Sequence, residues 1–293
     1  MLDLSIVIVS YNVCKLLRAC LGSVLSAQGD VAYELMVVDN SSTDGSAQMV
    51  RQRFPTVKLV ESPVNGGYAY ANNLGLQEIL RPGEAALPRY VLLLNPDTVV
   101  PPNALNAMVS FMDSHPGAGA AGPRLIRPDG SLDLACRRSF PSPEVSFYRM
   151  LGLSRLFPRS RLFARYNLTY LDPGDVVEVD SVVGAFMMVR GDVLWKVGLL
   201  DESFFMYGED LDLAYRIKKA GWKVLYNGQV DVIHYKGESS RQQSNRSVRE
   251  FYRAMLVFYR KHYARSTAFP LNCLIVGAIY LRGALALVGN TLR

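Results

Sequence analysis

Several short stretches of this 293-residue chain combine carboxylates, amides and an imidazole in patterns that can do chemistry. In Val38-Asp39-Asn40-Ser-Ser-Thr-Asp44 an aspartate ends an apolar run. Asp39 can accept from the imide N–H of a pyrimidine base, while the Ser/Thr/Asp residues after it cap a helix. Tyr11 and Asn12 end an earlier apolar run and are expected beside it. Asn95-Pro96-Asp97 follows another such run, and a hard divalent cation bridging two phosphates needs only one or two protein oxygens of this kind. In Gly208-Glu209-Asp210-Leu-Asp212 three carboxylates crowd a helix start. There they complement the helix dipole, but they also raise one another's pKa and can supply a general base. His234, after Val230 to Ile233, can complete a cation site with Asp97, although a structural histidine is the commoner outcome.

Asn65-Gly66-Gly67 opens a stretch that runs to Asn73. Its glycines let backbone N–H groups approach an anionic or polar ligand closely. The spacing fits neither a P-loop nor a GxGxxG fingerprint, so an ordinary glycine turn competes.

These residues need a frame that brings them together. Apolar runs at Leu4 to Ser10, Tyr33 to Asp39, Val57 to Glu61 and Tyr90 to Leu94 alternate with helical stretches at Lys15 to Ala27, Ala47 to Phe54 and Tyr70 to Leu80. That alternation predicts an α/β fold with a parallel sheet covered by helices. Three polar clusters, Ser10-Tyr-Asn12, Asp39 to Asp44 and Asn95-Pro-Asp97, follow strand C-termini, which predicts one shared crevice. A second ordered half is expected from strands at Val176 to Ser181 and Gly184 to Arg190, a helix through Asp210 to Ala220, and a strand at Lys223 to Tyr226.

Between the halves, residues 137–165 hold seven arginines against one glutamate, interleaved with Phe and Leu. Such a mixture suits an acceptor-binding or membrane-facing insertion, against an ordinary solvated insertion whose aromatics pack on the body. Residues 264–293 form an apolar appendage. Ala268 to Gly289 is long enough, at roughly 1.5 Å per residue, to cross a bilayer. Arg282 near its middle costs roughly 2.5 to 3.5 kcal/mol there, so docking on the membrane or re-entry is expected rather than a full span. Packing on the body or on a second copy as a homodimer is the competing reading.

The net charge of +6 suits anionic partners such as phosphates or anionic lipids. Cys14, Cys20, Cys136 and Cys273 form no CxxC pair and no disulfide framework, which fits a reducing cytosol. Leu2 to Val9 is too short for a signal h-region, so no export signal is expected.

The blocks Val9-Ser-Tyr-Asn12, Val38 to Gly45, Asn65 to Asn73, Leu94-Asn-Pro-Asp97, Gly184-Ala-Phe-Met-Met-Val-Arg190, Gly208-Glu-Asp210 and His234, in this order, resemble the family 2 glycosyltransferases of the GT-A fold. The resemblance runs over residues 1–263 and is greatest to bacterial rhamnosyltransferases that build surface polysaccharides. It implies a GT-A type nucleotide-binding sheet flanked by helices, with the C-terminal apolar helix appended. By motif, it implies that Asp39 binds the base, with Tyr11, Asn12, Gly67 and Asn73 around the nucleotide. Asp97 would be the last residue of a degenerate Asp-x-Asp that binds Mg²⁺ or Mn²⁺, with His234 as a further ligand. Asn95 stands where the first aspartate is expected. Asp210 would be the catalytic base of an inverting transfer and Glu209 would help position the acceptor. Gly184 and Ala185 would face the donor sugar, and Lys236 and Arg241 would clamp its pyrophosphate. The implied donor is a nucleotide diphosphate sugar, dTDP-rhamnose first, with a UDP-hexose or UDP-N-acetylhexosamine as the alternative. The implied acceptor is a glycan or polyprenyl-linked glycan at the inner face of the cell membrane. A non-catalytic sugar-binding or nucleic-acid-binding protein would leave the acidic positions unexplained, and no nucleic-acid partner is expected.

Overall fold

Residues that are apolar on both faces of a strand can be buried only if helices cover both sides of the sheet. The computed structural model, which describes residues 2–80, 87–235 and 244–291, has that arrangement. Leu4–Ser10 (β1) is buried throughout and pairs in parallel with Tyr33–Asp39 (β2), which pairs in parallel with Lys58–Glu61 (β3). Helices Cys14–Leu25 (α1), Ser46–Arg53 (α2) and Tyr68–Ile79 (α3) make the crossovers, and Tyr90–Leu94 (β4) returns beside β1. Helix α3 lies close on the sheet: a Cβ on Gly75 would stand 2.8 Å from Val7 Cγ1, so only glycine fits there.

The chain continues through Thr98–Val99 (β5), Ala104–Ser114 (α4), Ala118–Ile126 (β6), Pro143–Met150 (α5), Leu153–Leu156 (α6), Val176–Val179 (β7), Phe186–Arg190 (β8), Gly191–Val197 (α7), Glu209–Lys219 (α8) and Lys223–His234 (β9). Among the described residues the strands form one sheet in the order β3-β2-β1-β4-β8-β6-β9-β5, with β7 on β9. Strand β8 runs antiparallel to both β4 and β6, and β6 is parallel to β9. The start of β8 and the ends of β1, β2, β4 and β9 therefore meet at one edge of the sheet.

Two strands differ from the simplest reading of their residues. Ala118-Gly-Ala-Ala-Gly122 has little strand propensity, yet β6 is central. Small residues are required because Trp222 and Ile217 crowd Gly119 and Val182 crowds Gly122. The segments Lys223–Tyr226 and Val230–Ile233 form one strand, β9. The polar Asn227-Gly228-Gln229 between them is absorbed by a register shift against Pro123 and Arg124.

Within the 137–165 segment, Arg137 and Arg138 are buried. Arg137 donates to the carbonyls of Leu171 and Asp172 and lies over the Tyr226 ring. The outward charge of the segment comes from the later arginines, beside exposed Phe147, Leu151, Leu156, Phe157 and Leu162.

After β9 the described chain resumes at Ser244–His262 (α9), followed by Phe269–Thr291 (α10). Helix α9 docks on α8 through Phe258 and Ala254 against Phe204 and Leu211. It also reaches Asp212, which is fully buried: Lys261 Nζ lies 2.7 Å and His262 Nε2 2.8 Å from Asp212 Oδ1. Arg216 bonds the other oxygen at 2.8 Å. Helix α10 rests on α9 at Gly283 and Ile279 and leaves Phe269, Leu274, Tyr280, Leu281, Leu285 and Val288 exposed. Phe269–Asn290 is long and apolar enough to cross a membrane, with only 11% of its most apolar window buried.

Burial alone would raise the Asp212 pKa, but His262, Lys261 and Arg216 outweigh it and hold the carboxyl down at about 2. A carboxylate whose pKa is depressed by folding stabilises the fold above its unfolded value, 3.8, and loses that contribution as pH falls through the folded value. Asp212 should therefore contribute about 2 kcal/mol above pH 4 that disappears towards pH 2. Urea unfolding across that range should show this loss in the parent protein, and Asp212→Asn should be less stable at neutral pH with a flatter acid profile.

Candidate active site

Asp39 closes β2 with its carboxylate buried at the sheet edge. Oδ2 accepts from the Ser42 N–H at 2.9 Å, while Oδ1 has no protein partner. Asn12 and Ser41 take left-handed backbone conformations, at φ 54° and 67°, which bend the two loops towards each other. Asn12 Oδ1 accepts from the Thr43 N–H at 2.8 Å, and the Asn12 N–H donates to Ser42 Oγ at 3.0 Å. Tyr11 is half-buried beside this brace. Asn12 thus braces the loop after β2, and Asp39 Oδ1 is left as a buried oxygen with no hydrogen bond.

Asp97 and His234 come together because β5 pairs with the end of β9, Thr98 opposite His234. The Tyr235 N–H donates to the Asp97 carbonyl at 2.8 Å, which locks the register. His234 Nε2 stands 3.3 Å from Asp97 Oδ1, in a geometry that makes no hydrogen bond, and Asp97 Oδ1 is a buried orphan. On the other side, His234 Nδ1 lies 2.9 Å from Asp133 Oδ2. A carboxylate there demands a proton on Nδ1 and leaves Nε2 to face Asp97. Burial opposes charge on the ring, but Asp133 and Asp97 outweigh it and raise the pKa to about 9. The two carboxylates hold a positive charge between them, which a proton or a cation can provide. One carboxylate oxygen and one oriented imidazole nitrogen fit Mg²⁺ or Mn²⁺, which take their remaining ligands from substrate oxygens and water. Among the described residues no group of three or more His, Cys, Asp or Glu side chains forms a closed metal cage.

The third part is the turn before α8. Tyr207 and Gly208 are left-handed, at φ 69° and 86°, and swing the first turn of the helix into the crevice. The three carboxylates of that turn separate. Asp212 faces α9, whereas Glu209 and Asp210 are buried on the crevice side. Asp210 Oδ2 accepts from Arg138 Nη2 at 2.7 Å and from the Gly184 N–H at 3.0 Å; Oδ1 accepts from the Leu211 N–H at 2.7 Å. Glu209 Oε2 has no partner, and burial, with the adjacent Asp210, pushes its carboxyl up to about 8. Tyr68 Oη donates to the Gly184 carbonyl at 3.1 Å. Its pKa is pushed upward by burial, with the negative charge of Glu209, Asp210 and Asp97 adding to the effect. A Cβ at Gly184 would stand in ordinary van der Waals contact with Tyr68 and Asp210, the nearest atom being Tyr68 Oη at 3.5 Å, so this backbone lies directly against both side chains.

Three expected residues are placed differently. Ala185 has its side chain in the core, and its carbonyl accepts from the Asn95 N–H, so it offers no sugar contact from its methyl. Gly67 is required because a Cβ there would stand 2.4 Å from the Phe205 carbonyl oxygen; the neighbouring Tyr68 N–H donates to that oxygen. Asn73 clamps the same loop: its amide donates to the Leu200 carbonyl and Glu202, and its oxygen accepts from the Leu200 N–H. It has no donor left for a nucleotide. Gly67 and Asn73 therefore serve the site by fixing the 200–205 loop that leads into Gly208. Lys236 and Arg241 lie outside the described residues.

Arg138, Asp133, Tyr68 and Asn72, whose Oδ1 is another buried orphan, complete the site. Arg138 and Asp133 lie in loops without a local signature; each gains its meaning from a partner 72 or 101 residues away. The Arg137-Arg138 pair before Ser-Phe-Pro was the one available cue.

Comparison with known proteins identifies the family. Residues 5–198 match the sequence model for Glycosyl transferase family 2. N-acetylglucosaminyl-diphospho-decaprenol L-rhamnosyltransferase of Mycobacterium tuberculosis is 30% identical over 99% of this chain and 94% of its own length. Rhamnosyltransferase WbbL of Escherichia coli K12 is 27% identical over 75% of this chain and 79% of its own. Among solved structures, mannosyltransferase PcManGT from Pyrobaculum calidifontis, in complex with GDP-Man and Mn²⁺, superposes with a TM-score of 0.59 at 18% identity, covering 97% of this chain and 72% of that one. The chain therefore belongs to glycosyl transferase family 2 and is a glycosyltransferase.

Proposed function

We propose that the chain is an inverting L-rhamnosyltransferase that takes rhamnose from dTDP-rhamnose and places it on a hydroxyl of a polyprenyl-linked glycan at the cytoplasmic face of the membrane. The observation that carries this reading is collinearity with the mycobacterial decaprenol L-rhamnosyltransferase over 99% of this chain, C-terminal helix included.

In this reading Asp39 Oδ1, the buried oxygen without a partner, accepts from the imide N–H of thymine. Asp97 and His234 would hold Mg²⁺ or Mn²⁺, which supplies neutralisation of the diphosphate leaving group. The acceptor hydroxyl enters beside Gly184 and gives its proton to Asp210 as its oxygen attacks the anomeric carbon. The bond to the diphosphate breaks on the opposite face, and configuration inverts without a covalent enzyme intermediate. Glu209, neutral below its pKa of about 8, remains a hydrogen-bond donor that positions the acceptor. The two adjacent carboxyls thereby divide the work, Asp210 taking the proton and Glu209 positioning the acceptor.

Helix α10, exposed and apolar, would lie in the membrane surface with the arginines of residues 149–165 on anionic headgroups.

Asp210→Asn should lower kcat on the order of 10³-fold while leaving dTDP affinity intact, by assay and calorimetry; wild-type turnover would move the base elsewhere. Asp97→Ala should weaken Mn²⁺-dependent dTDP binding on the order of 100-fold, and chelation should do the same to the parent protein. Equal affinity with and without metal would remove the cation, and preference for UDP over dTDP would replace rhamnose with a UDP-linked sugar. Replacing Leu274, Leu281 and Leu285 together by aspartate should leave the fold intact, because all are solvent-exposed, and abolish co-sedimentation with anionic vesicles; unchanged co-sedimentation would exclude α10 as the membrane contact.

A further inference from the structure

We propose that Arg138 is the positioning residue of the catalytic base, aiming the Asp210 carboxylate and tying it to the 139–166 segment. The proposal rests on the reading of Asp210 as that base. Arg138 is only 8% exposed, and its Nη2 donates to Asp210 Oδ2 at 2.7 Å and to the Val182 carbonyl at 3.0 Å. A buried ion pair is costly to form unless other hydrogen bonds complete it. Here the Gly184 and Leu211 N–H groups complete the carboxylate and Val182 part of the guanidinium. The result is one fixed orientation for Asp210, set by a single guanidinium nitrogen, Nη2, that is shared between Asp210 Oδ2 and the Val182 carbonyl, a placement that a flexible ammonium does not reproduce.

The other end of Arg138 belongs to a different part of the molecule. Its backbone is bonded to Ser181 in both directions, N–H to carbonyl at 2.9 Å and carbonyl from N–H at 3.0 Å. The next residues suture the segment to the body: the Ser139 N–H donates to the Tyr166 carbonyl, and the Phe140 N–H to Asp180 Oδ2. Tyr166 also lies beside the Arg138 guanidinium and carries Arg149 over its ring at 4.2 Å. A displacement of the basic, aromatic segment on engaging an acceptor therefore reaches Asp210 through a single side chain. The groups facing this pair are Glu209 from α8, Tyr68 from α3 and Tyr166 from the segment.

The test compares Arg138→Gln, Arg138→Lys and Asp210→Asn in the full chain, reading kcat, acceptor KM, the pH profile of kcat and calorimetric dTDP affinity with Mn²⁺. Arg138→Gln should lower kcat about 100-fold with dTDP affinity unchanged. Removing the cation should also move the acid limb of its pH profile upward by about one unit or more, because a carboxylate that loses its positive neighbour binds its proton more tightly. Arg138→Lys keeps a buried charge and should fold where Arg138→Gln fails to. Its kcat should fall about tenfold or more, again with unchanged dTDP affinity. Parent kcat in folded Arg138→Lys, or an unmoved acid limb in folded Arg138→Gln, would overturn the proposal. An active Asp210→Asn would instead overturn the assignment of the base, so the two failures are distinct.

Discussion

A carboxylate withdrawn from water costs several kcal/mol unless hydrogen bonds or a positive neighbour replace its hydration, and Asp39, Asp97, Asp133, Glu209 and Asp210 are all withdrawn at one edge of one sheet. Each is compensated differently. Asp210 has Arg138, Asp133 and Asp97 have His234 between them, and burial beside Asp210 raises the Glu209 pKa, which favours its neutral form. Asp39 has a single backbone N–H. The compensation is incomplete in a patterned way. Ser10 Oγ, Asp39 Oδ1, Asn72 Oδ1, Asn95 Oδ1, Asp97 Oδ1 and Glu209 Oε2 are all buried without a protein partner. Buried polar atoms are normally satisfied, so their gathering around one crevice is a demand for donors and cations from a bound partner. In the proposed reading a nucleotide diphosphate sugar with a divalent ion would supply those groups.

That demand explains why the first half of the sheet was legible from residues and part of the site was not. Strands β1, β2 and β4 are apolar on both faces, and each ends in a polar cluster, so period and punctuation both point to a covered parallel sheet with a functional edge. The same edge position makes Asp39 and Asp97 visible, since a carboxylate directly after a buried strand has few structural duties. Strand β6 carries no such signal, because its alanines and glycines answer to Trp222, Ile217 and Val182 rather than to strand propensity. Asn73 and Gly67 sit in a motif and look like ligand contacts, yet their polar and steric requirements are met by the 200–205 loop. Arg138 and Asp133 were invisible for the converse reason: their importance lies wholly in partners distant in sequence.

Helix α8 shows how the fold separates chemistry from architecture over a single turn. Residues two apart on a helix point in different directions, so Asp210 and Asp212 cannot serve the same neighbourhood. Asp210 meets Arg138 and Gly184, while Asp212 meets Arg216, Lys261 and His262. The first set belongs to the loops that carry the crevice. The second joins Arg216 of α8 itself to Lys261 and His262 of α9, on which α10 rests. Helix α8 is therefore held at its N-terminus between the loops of the crevice and an element that leads to the exposed apolar helix. A rotation of α8 that improved one set of contacts would strain the other. The Asp212 cluster, although it touches no substrate, is thus part of what fixes the direction in which Asp210 points.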